Sequence, residues 1–424
     1  MSTVAQQVAP GVETATAPTR GRPQWFWYAV LGGALLVLAT VRVITGAHDI
    51  DSSGALAAAI GLAMPLALAG LGGLWSERAG VVNIGLEGMM ILGTWGGAFF
   101  GFHYGPWAGI LGAAFMGVVA GAIHALATVI FGVDHIVSGV AVNLLGAGAG
   151  AYLAVRTFSD LPGGGPTQSP PLQLLPFLSI PGIGDPLLSM EQSHTWLLAD
   201  IAGILRALTT NVNVLTIIAV GLLVLSWWVL WRTPFGLRLR SCGEAPQAAE
   251  TLGVNVIRFK FLAVLISGGL AGLAGGFLVL VASNLYREGQ TGGRGYIGLA
   301  AMIFGNWRPG GLAGGAGLFG YADAIQLRGR GDVIHAYLLP LGVLLLVWAI
   351  WQFVRRRQGK PMVGVVRVVI GVLVLVWFAV SKEVAAEFTS MTPYIATLVV
   401  LVFAAQRLRM PAADGQIYRK GEAK

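Results

Sequence analysis

Charge is scarce in this chain. Only 11% of its 424 residues are Asp, Glu, Lys or Arg, while 55% are hydrophobic, and a soluble globular chain carries about 25% charged residues. The shortage excludes an ordinary water-soluble protein. Cysteine is nearly missing: Cys242 stands alone and cannot form an internal disulfide. The six histidines and the few acids are scattered without metal-ligand spacing, so no metal site is expected. The pattern G-x-x-x-x-G-K-[ST] does not occur, so the chain has no phosphate-cradling loop of its own. Ser-His-Asp and Cys-His arrangements are lacking as well, which speaks against an enzyme.

What the sequence has in abundance is apolar runs of about 20 residues, the length that crosses a hydrocarbon core of about 30 Å. Mean hydropathy is +0.74. The runs are continuous and do not alternate with period two, which excludes a β-barrel. The fold class is therefore all-α, a polytopic transmembrane bundle of about 10–12 spans. The segments centre near 26–45, 54–75, 84–103, 106–131, 136–155, 213–232, 259–282, 295–306, 311–327, 335–354, 363–381 and 392–406. Residues 1–22 are polar, and the first run, Phe26 to Val43, is too long for a signal h-region and has no small-residue cleavage site. No cleavable secretory signal is expected.

The formal charge of +8, from 27 Lys+Arg against 19 Asp+Glu, does not call for a nucleic-acid polymer. Membrane proteins keep excess Lys and Arg in cytoplasmic loops. Arg20 and Arg22, then Arg232, Arg238, Arg240, Arg258 and Lys260, then Arg355, Arg356, Arg357 and Lys360, then Arg407, Arg409, Arg419 and Lys420 fall on one side if spans alternate. Both termini are then cytoplasmic. Arg156, Arg206, Arg287, Arg294, Arg328, Arg330 and Lys382 fall on the other side.

Two connections are too long for turns. The prolines and glycines of 157–212 forbid a regular helix through most of it, leaving an external loop with a short helix near 194–208. The second, 233–258, faces the cytoplasm. In "GEAPQAAETLGV", Pro246 suits a first helical position, Ala248 and Ala249 favour helix, and Gly253 suits a left-handed stop. A helix of about two turns is expected there.

Polar residues inside apolar segments mark candidate sites. Glu87 sits at membrane depth, where a carboxylate costs about 2.5–3.5 kcal/mol. It needs a wet cavity or a donor, unless it lies near the interface and pins the "SERAG" entry through Arg78. Asn83 lies four residues earlier, so both can project from one helical face. Gly80, Gly85 and Gly88 suggest a broken helix, tolerated only beside protein or water. His135, Gly139, Asn143, Gly146 and Gly150 form one face at helical spacing. Asn143 either bonds across a helix seam or lines a pathway. Gly268, Gly272 and Gly276, and Ala313, Gly317 and Gly320, read as packing seams.

"ERAGVVNIGLEGMMILG", "HIVSGVAVNLLGAGAGAYL", "GEAPQAAETLGV", "GRGYIGLAAMIFGNWRPGGLAGGAGLFGYADAIQLR" and the tail "TPYIATLVVLVFAAQRLRMPAADGQIYRKGE" occur in that order. Together they resemble the transmembrane permease subunits of ABC importers for nucleosides and simple sugars, in the ribose-type and branched-chain superfamily. The resemblance runs from about residue 54 to 420. It divides the chain into a cytoplasmic tail 1–22, a permease domain 23–409 and a cytoplasmic tail 410–424. An additional span pair at 333–382 departs from the usual family layout.

The resemblance implies a second permease chain forming a heterodimer, a cytoplasmic ATPase that uses ATP, and an external substrate-binding protein or lipoprotein. This chain itself would bind no cofactor. The setting implied is a bacterial plasma membrane. Glu244, Ala245, Ala248, Ala249 and Gly253 would couple to the ATPase. Asn83, Glu87 and Asn143 would line the substrate pathway, and Arg287 and Arg294 would meet the external protein. Two alternatives remain open at this level: a branched-chain amino-acid permease, and an autonomous ion-coupled transporter titrating Glu87 or Asp323.

Overall fold

A computed structural model describes residues 24–328, 331–354, 361–389, 391, 392, 395, 398 and 408–421. Its elements are α1 (Gln24–Thr45), α2 (Ser53–Arg78), α3 (Leu86–Tyr104), α4 (Pro106–Ala125), α5 (His135–Phe158), β1 (Phe177–Leu178), α6 (Gly184–Gln192), α7 (Leu198–Thr209), β2 (Val212–Asn213), α8 (Val214–Arg232), α9 (Pro234–Glu244), α10 (Pro246–Thr251), α11 (Val256–Phe277), α12 (Arg294–Phe304), α13 (Pro309–Arg328), α14 (Gly331–Val354), α15 (Pro361–Val380) and α16 (Ala386–Thr389). Both α4 and α11 continue by one wider turn, to Ile130 and Ala282. Seven of these helices are long and apolar enough to cross a membrane: α2, α4, α5, α8, α11, α14 and α15. The protein is a multi-pass helical membrane protein, and the apolar segments read from the sequence as far as 363–381 all fall on helices. The segment 392–406 lies almost wholly outside the described residues, as do Arg20, Arg22, Arg355, Arg356, Arg357, Lys360 and Arg407.

Burial decides which helices form the core. In α11, 72% of the apolar stretch is buried and in α2 56%, against 11% in α15. Glycine lets α11 sit at the centre. A Cβ on Gly117 of α4 would overlap the Gly268 carbonyl of α11, and one on Gly272 the Ala113 carbonyl. Such close approach maximises dispersion contact where no hydrophobic force acts between helices in lipid. Gly320 of α13 packs likewise on Ala59 and Ala63 of α2, whereas Gly317 faces open space.

Segment 157–212 is ordered by charge. Arg42 of α1 holds Asp200 of α7 with two bonds, 2.8 and 2.9 Å, both groups buried from solvent. Glu191 of α6 accepts the Ser53 N–H at 2.7 Å, which ties the segment to the start of α2. A two-residue ladder, Phe177↔Asn213 and Leu178↔Val212, closes it. The expected short helix is α7, displaced by a few residues. Helix α6 escaped the sequence reading because Pro186 marked a break, yet Pro186 occupies the first turn, where a missing N–H costs nothing.

Two interruptions shape the interior. The chain leaves helix after Arg78 and resumes at Leu86, and leaves it again after Ala282 to resume at Arg294. Helices α3 and α12 therefore start inside the bundle.

Candidate functional site

Residues 79–85 run through the bundle without a helix and are mostly buried, so their backbone groups need partners. Side chains from four helices supply them. Lys260 of α11 donates to the Gly80 carbonyl at 3.1 Å, and Ser76 of α2 to that of Val81 at 2.6 Å. His124 of α4 meets the Val82 carbonyl at 3.2 Å. The His135 Nδ1 of α5 accepts the Val82 N–H at 3.3 Å. Asn143 donates to the Ile84 carbonyl at 2.9 Å. Asn83 closes the break from within: its oxygen accepts the Gly85 N–H at 3.0 Å, and its amide donates to Ser267 of α11 at 2.9 Å. Asn83 is 0% exposed. It lies ahead of α3, so the four-residue helical spacing to Glu87 does not operate.

Asn143 stands eight residues into α5, about 12 Å from its His135 end at 1.5 Å per residue. Its oxygen accepts the Gly88 N–H at 2.7 Å, in the first turn of α3. Its second amide hydrogen reaches the Tyr296 hydroxyl of α12 at 2.9 Å. Glycine permits this seam, because a Cβ on Gly88 would overlap the Val142 carbonyl, and one on Gly146 would lie 2.5 Å from the Gly88 backbone.

Glu87 answers the question of its own depth. Its two oxygens accept the Gly293 N–H at 2.9 Å and the Gly295 N–H at 2.6 Å. It thus caps α12 from another helix, where a carboxylate meets unpaired donors and the positive end of the helix dipole. Gly293 stops the incoming loop in the left-handed region at φ +80°. Gly295 brings α12 against α3, since a Cβ there would stand 2.7 Å from Glu87 backbone atoms. Arg78 does not pair with Glu87. It donates to the Trp307 carbonyl at 2.9 and 2.7 Å and lies 3.7 Å from Glu244.

Glu87, Asn143 and Tyr296 therefore converge where two helices begin. Tyr296 is 47% exposed. Its oxygen accepts from Asn143, and among the described residues its O–H has no acceptor and can donate outward. The sequence reading missed Tyr296, Lys260 and His124; the lone Lys260 inside an apolar run was the available signal. Arg287 is exposed, its N–H held by Gln290 at 3.0 Å. Arg294 folds back on the carbonyls of Gln290 and Thr291, at 3.3 and 3.2 Å, beside the α12 cap.

At the end of the bundle where α2 finishes, α10 forms where the sequence put a short helix, with Pro246 at its start and Gly253 at φ +82° beyond its end. Ala245, Ala248 and Gly253 are exposed, and Leu252 is 83% exposed at the tip. Ala249 points the other way, into a cluster with Cys242, Val256 and Tyr418. Glu244 is exposed and accepts the Ala412 N–H at 3.2 Å.

Comparison with known proteins agrees with this architecture. The chain is 36% identical over 318 residues to the guanosine ABC transporter permease protein NupQ of Bacillus subtilis, covering 72% of this chain and 92% of that one. It is 30% identical over 365 residues to the nucleoside ABC transporter permease protein NupC of Lactococcus lactis, covering 84% and 94%. It is 31% identical over 375 residues to the putative glucose ABC transporter permease protein TsgC13 of Haloferax volcanii, covering 87% and 98%. A second Lactococcus nucleoside permease protein, NupB, is 24% identical over 60% of this chain. No solved structure matches. A family model described as branched-chain amino acid transport system / permease component matches residues 55–348. A multi-pass bundle with interior helix starts, matched over that length, places the chain in this permease family.

Proposed function

We propose that this chain is one permease of an ATP-driven importer for nucleosides or related simple sugars. Supporting the solute class are relatives that transport guanosine, nucleosides and glucose by their names, over most of both chains. The observation that carries the mechanism is the convergence of Glu87, Asn143 and Tyr296 at the starts of α3 and α12. An aromatic ring with a free hydroxyl suits a base or a sugar face, stacking on one and hydrogen-bonding the other. Helices that start at mid-bilayer are where transporters place solute sites. Asn143 fixes the Tyr296 hydroxyl, Glu87 fixes the helix that carries it, and Asn83 secures the break beneath.

In this reading the α10 end faces the cytoplasm, and Ala248 and Leu252 enter a groove of a separate ATPase. ATP is bound and hydrolysed there, and not on this chain. The partner permease is a second, related chain, as the NupB and NupC pair of Lactococcus suggests. A binding protein or lipoprotein delivers solute from outside, where Arg287 is exposed. The bilayer in question is a bacterial plasma membrane.

The test is uptake by the reconstituted complex with its binding protein across guanosine, adenosine, ribose, glucose and leucine. Saturable uptake of a nucleoside or sugar is expected. Uptake of leucine alone removes the solute assignment. Gradient-driven uptake by this chain without any ATPase removes the mechanism.

A further inference from the structure

Residues 408–421 lie across the α10 end in a chain of specific contacts. The Arg409 N–H donates to Asn306 at 2.7 Å, between α12 and α13. Ala412 and Ala413 donate to the Glu244 carboxylate at 3.2 Å and the Gly243 carbonyl at 2.8 Å, at the joint between α9 and α10. A Cβ on Gly80 would stand 3.0 Å from Gly243 and 3.1 Å from the Ala413 carbonyl. The joint, the tail and the α2–α3 break thus meet backbone to backbone. Gly415 packs against Val82, and Ile417 against Gly132 before α5. Tyr418 closes the cluster of Cys242, Ala249 and Val256 beneath α10.

Asp414 lies at the middle of this run, buried. It faces Glu77 and Arg78 from α2 and Lys260 from α11. Arg240 and Glu244 of α9 and Arg308 before α13 surround Arg78. Both Asp414 oxygens lack a donor among the described residues. Glu77 accepts from the Trp307 indole at 2.6 Å and has its carboxyl in hydrogen-bonding reach of Asp414. Two facing carboxyls are satisfied only when one carries a proton, which then bridges them.

We infer that residues 408–421 are a transmission strap, joining the ATPase-facing α9–α10 loop to the 79–85 break under the Asn143–Glu87 cluster, with Asp414 as its latch. The inference rests on the reading of α10 as the ATPase-docking helix. Apart from the strap, α9 meets the break through Gly243, which packs on Arg78 and Gly80, and α11 meets it through Lys260. With the strap, a push on α10 displaces Ala412–Gly415, and those residues press on Gly80 and Val82, seven and five residues before Glu87. A peptide hydrogen-bonded at one end and packed on glycine at the other moves with both, because overlap forbids sliding.

Two variants of the full complex test this: a chain ending at Met410, and Ala413→Pro, which removes the N–H given to Gly243. The readouts are solute uptake per ATP hydrolysed in liposomes, and hydrogen exchange at residues 79–85 with and without a non-hydrolysable ATP analogue. Both variants should co-purify with the ATPase and hydrolyse ATP, while uptake per ATP falls at least tenfold. The nucleotide-induced change in exchange at 79–85 should vanish. Uptake per ATP within twofold of the unaltered complex, or a persisting exchange change, overturns the inference. Loss of assembly in both variants also overturns it, since the segment then serves assembly. The exchange readout involves no solute, so a wrong solute class leaves it standing.

Discussion

The two interior helix starts solve one problem by different chemistry. The break before α3 distributes its backbone groups over amides, hydroxyls and imidazoles, with Lys260 the one cation among the described residues. The start of α12 depends on a single carboxylate that takes two N–H groups. Many weak partners make a joint that survives the loss of any one. One charged cap makes a joint that is strong and singular. The first joint also receives the strap, and the second receives Tyr296, so in the proposed mechanism force and solute enter at opposite sides of Glu87.

Breaking the singular joint should do most harm. Glu87→Ala leaves two buried N–H groups facing a void, and hydrogen bonds to a charged acceptor are worth about 1.5–3 kcal/mol each. Uptake should fall below detection, with the melting temperature of the purified complex lowered by several degrees. Glu87→Gln should recover only part, because its amide offers one acceptor where two are used. Normal uptake by Glu87→Ala would end the claim that this carboxylate holds α12.

Asp414 gives the next largest effect, confined to the strapped joint. Burial pushes it up to about 7, from an ordinary value near 3.8, against the downward pull of the Glu77 hydrogen bond and of Lys260 and Arg78. A carboxyl raised on docking favours the docked strap while protonated. That contribution is whole below about pH 4, declines as pH rises toward 7, and is gone above it. Protection of 408–421 from hydrogen exchange should therefore drop by up to about tenfold per pH unit between 5 and 7. Asp414→Asn should flatten the profile. Exchange in 287–293, before α12, should show no such dependence.

Smaller effects sharpen the contrast. Asn143→Ala removes one of several partners from the α3 joint and orphans the Gly88 N–H, at about 1–3 kcal/mol. The complex should fold, with uptake reduced about tenfold. Tyr296→Phe removes only a hydroxyl, for about 1 kcal/mol or less of stability, and should raise KM for solute with kcat for ATP hydrolysis unchanged. An unchanged KM would take Tyr296 out of the pathway.

Much of the fold was legible because lipid enforces long apolar runs, and α10 because proline and glycine punctuate it. The interior starts were legible only as a suspicion raised by Gly80, Gly85 and Gly88. Their partners were not, since Glu87 and Gly293 are 206 residues apart in the chain. No local pattern encodes that pairing. Ala249 was grouped with Ala248 as docking surface because both are small, but adjacent helical positions point about 100° apart, and Ala249 packs inward. The strap was hidden for a similar reason. Its alanines and glycines look unstructured until a surface shaped to them is in view.

Cys242, the chain's lone thiol, is fully buried beneath α10, and burial pushes it up to about 11. Only the thiolate reacts with maleimides and disulfides, so at neutral pH the native protein is its own unlabelled background. A reporter cysteine placed at Leu252, Tyr296 or Gly415 would take up a fluorophore or spin label alone, and the motions described here become measurable without first stripping the molecule of sulfur.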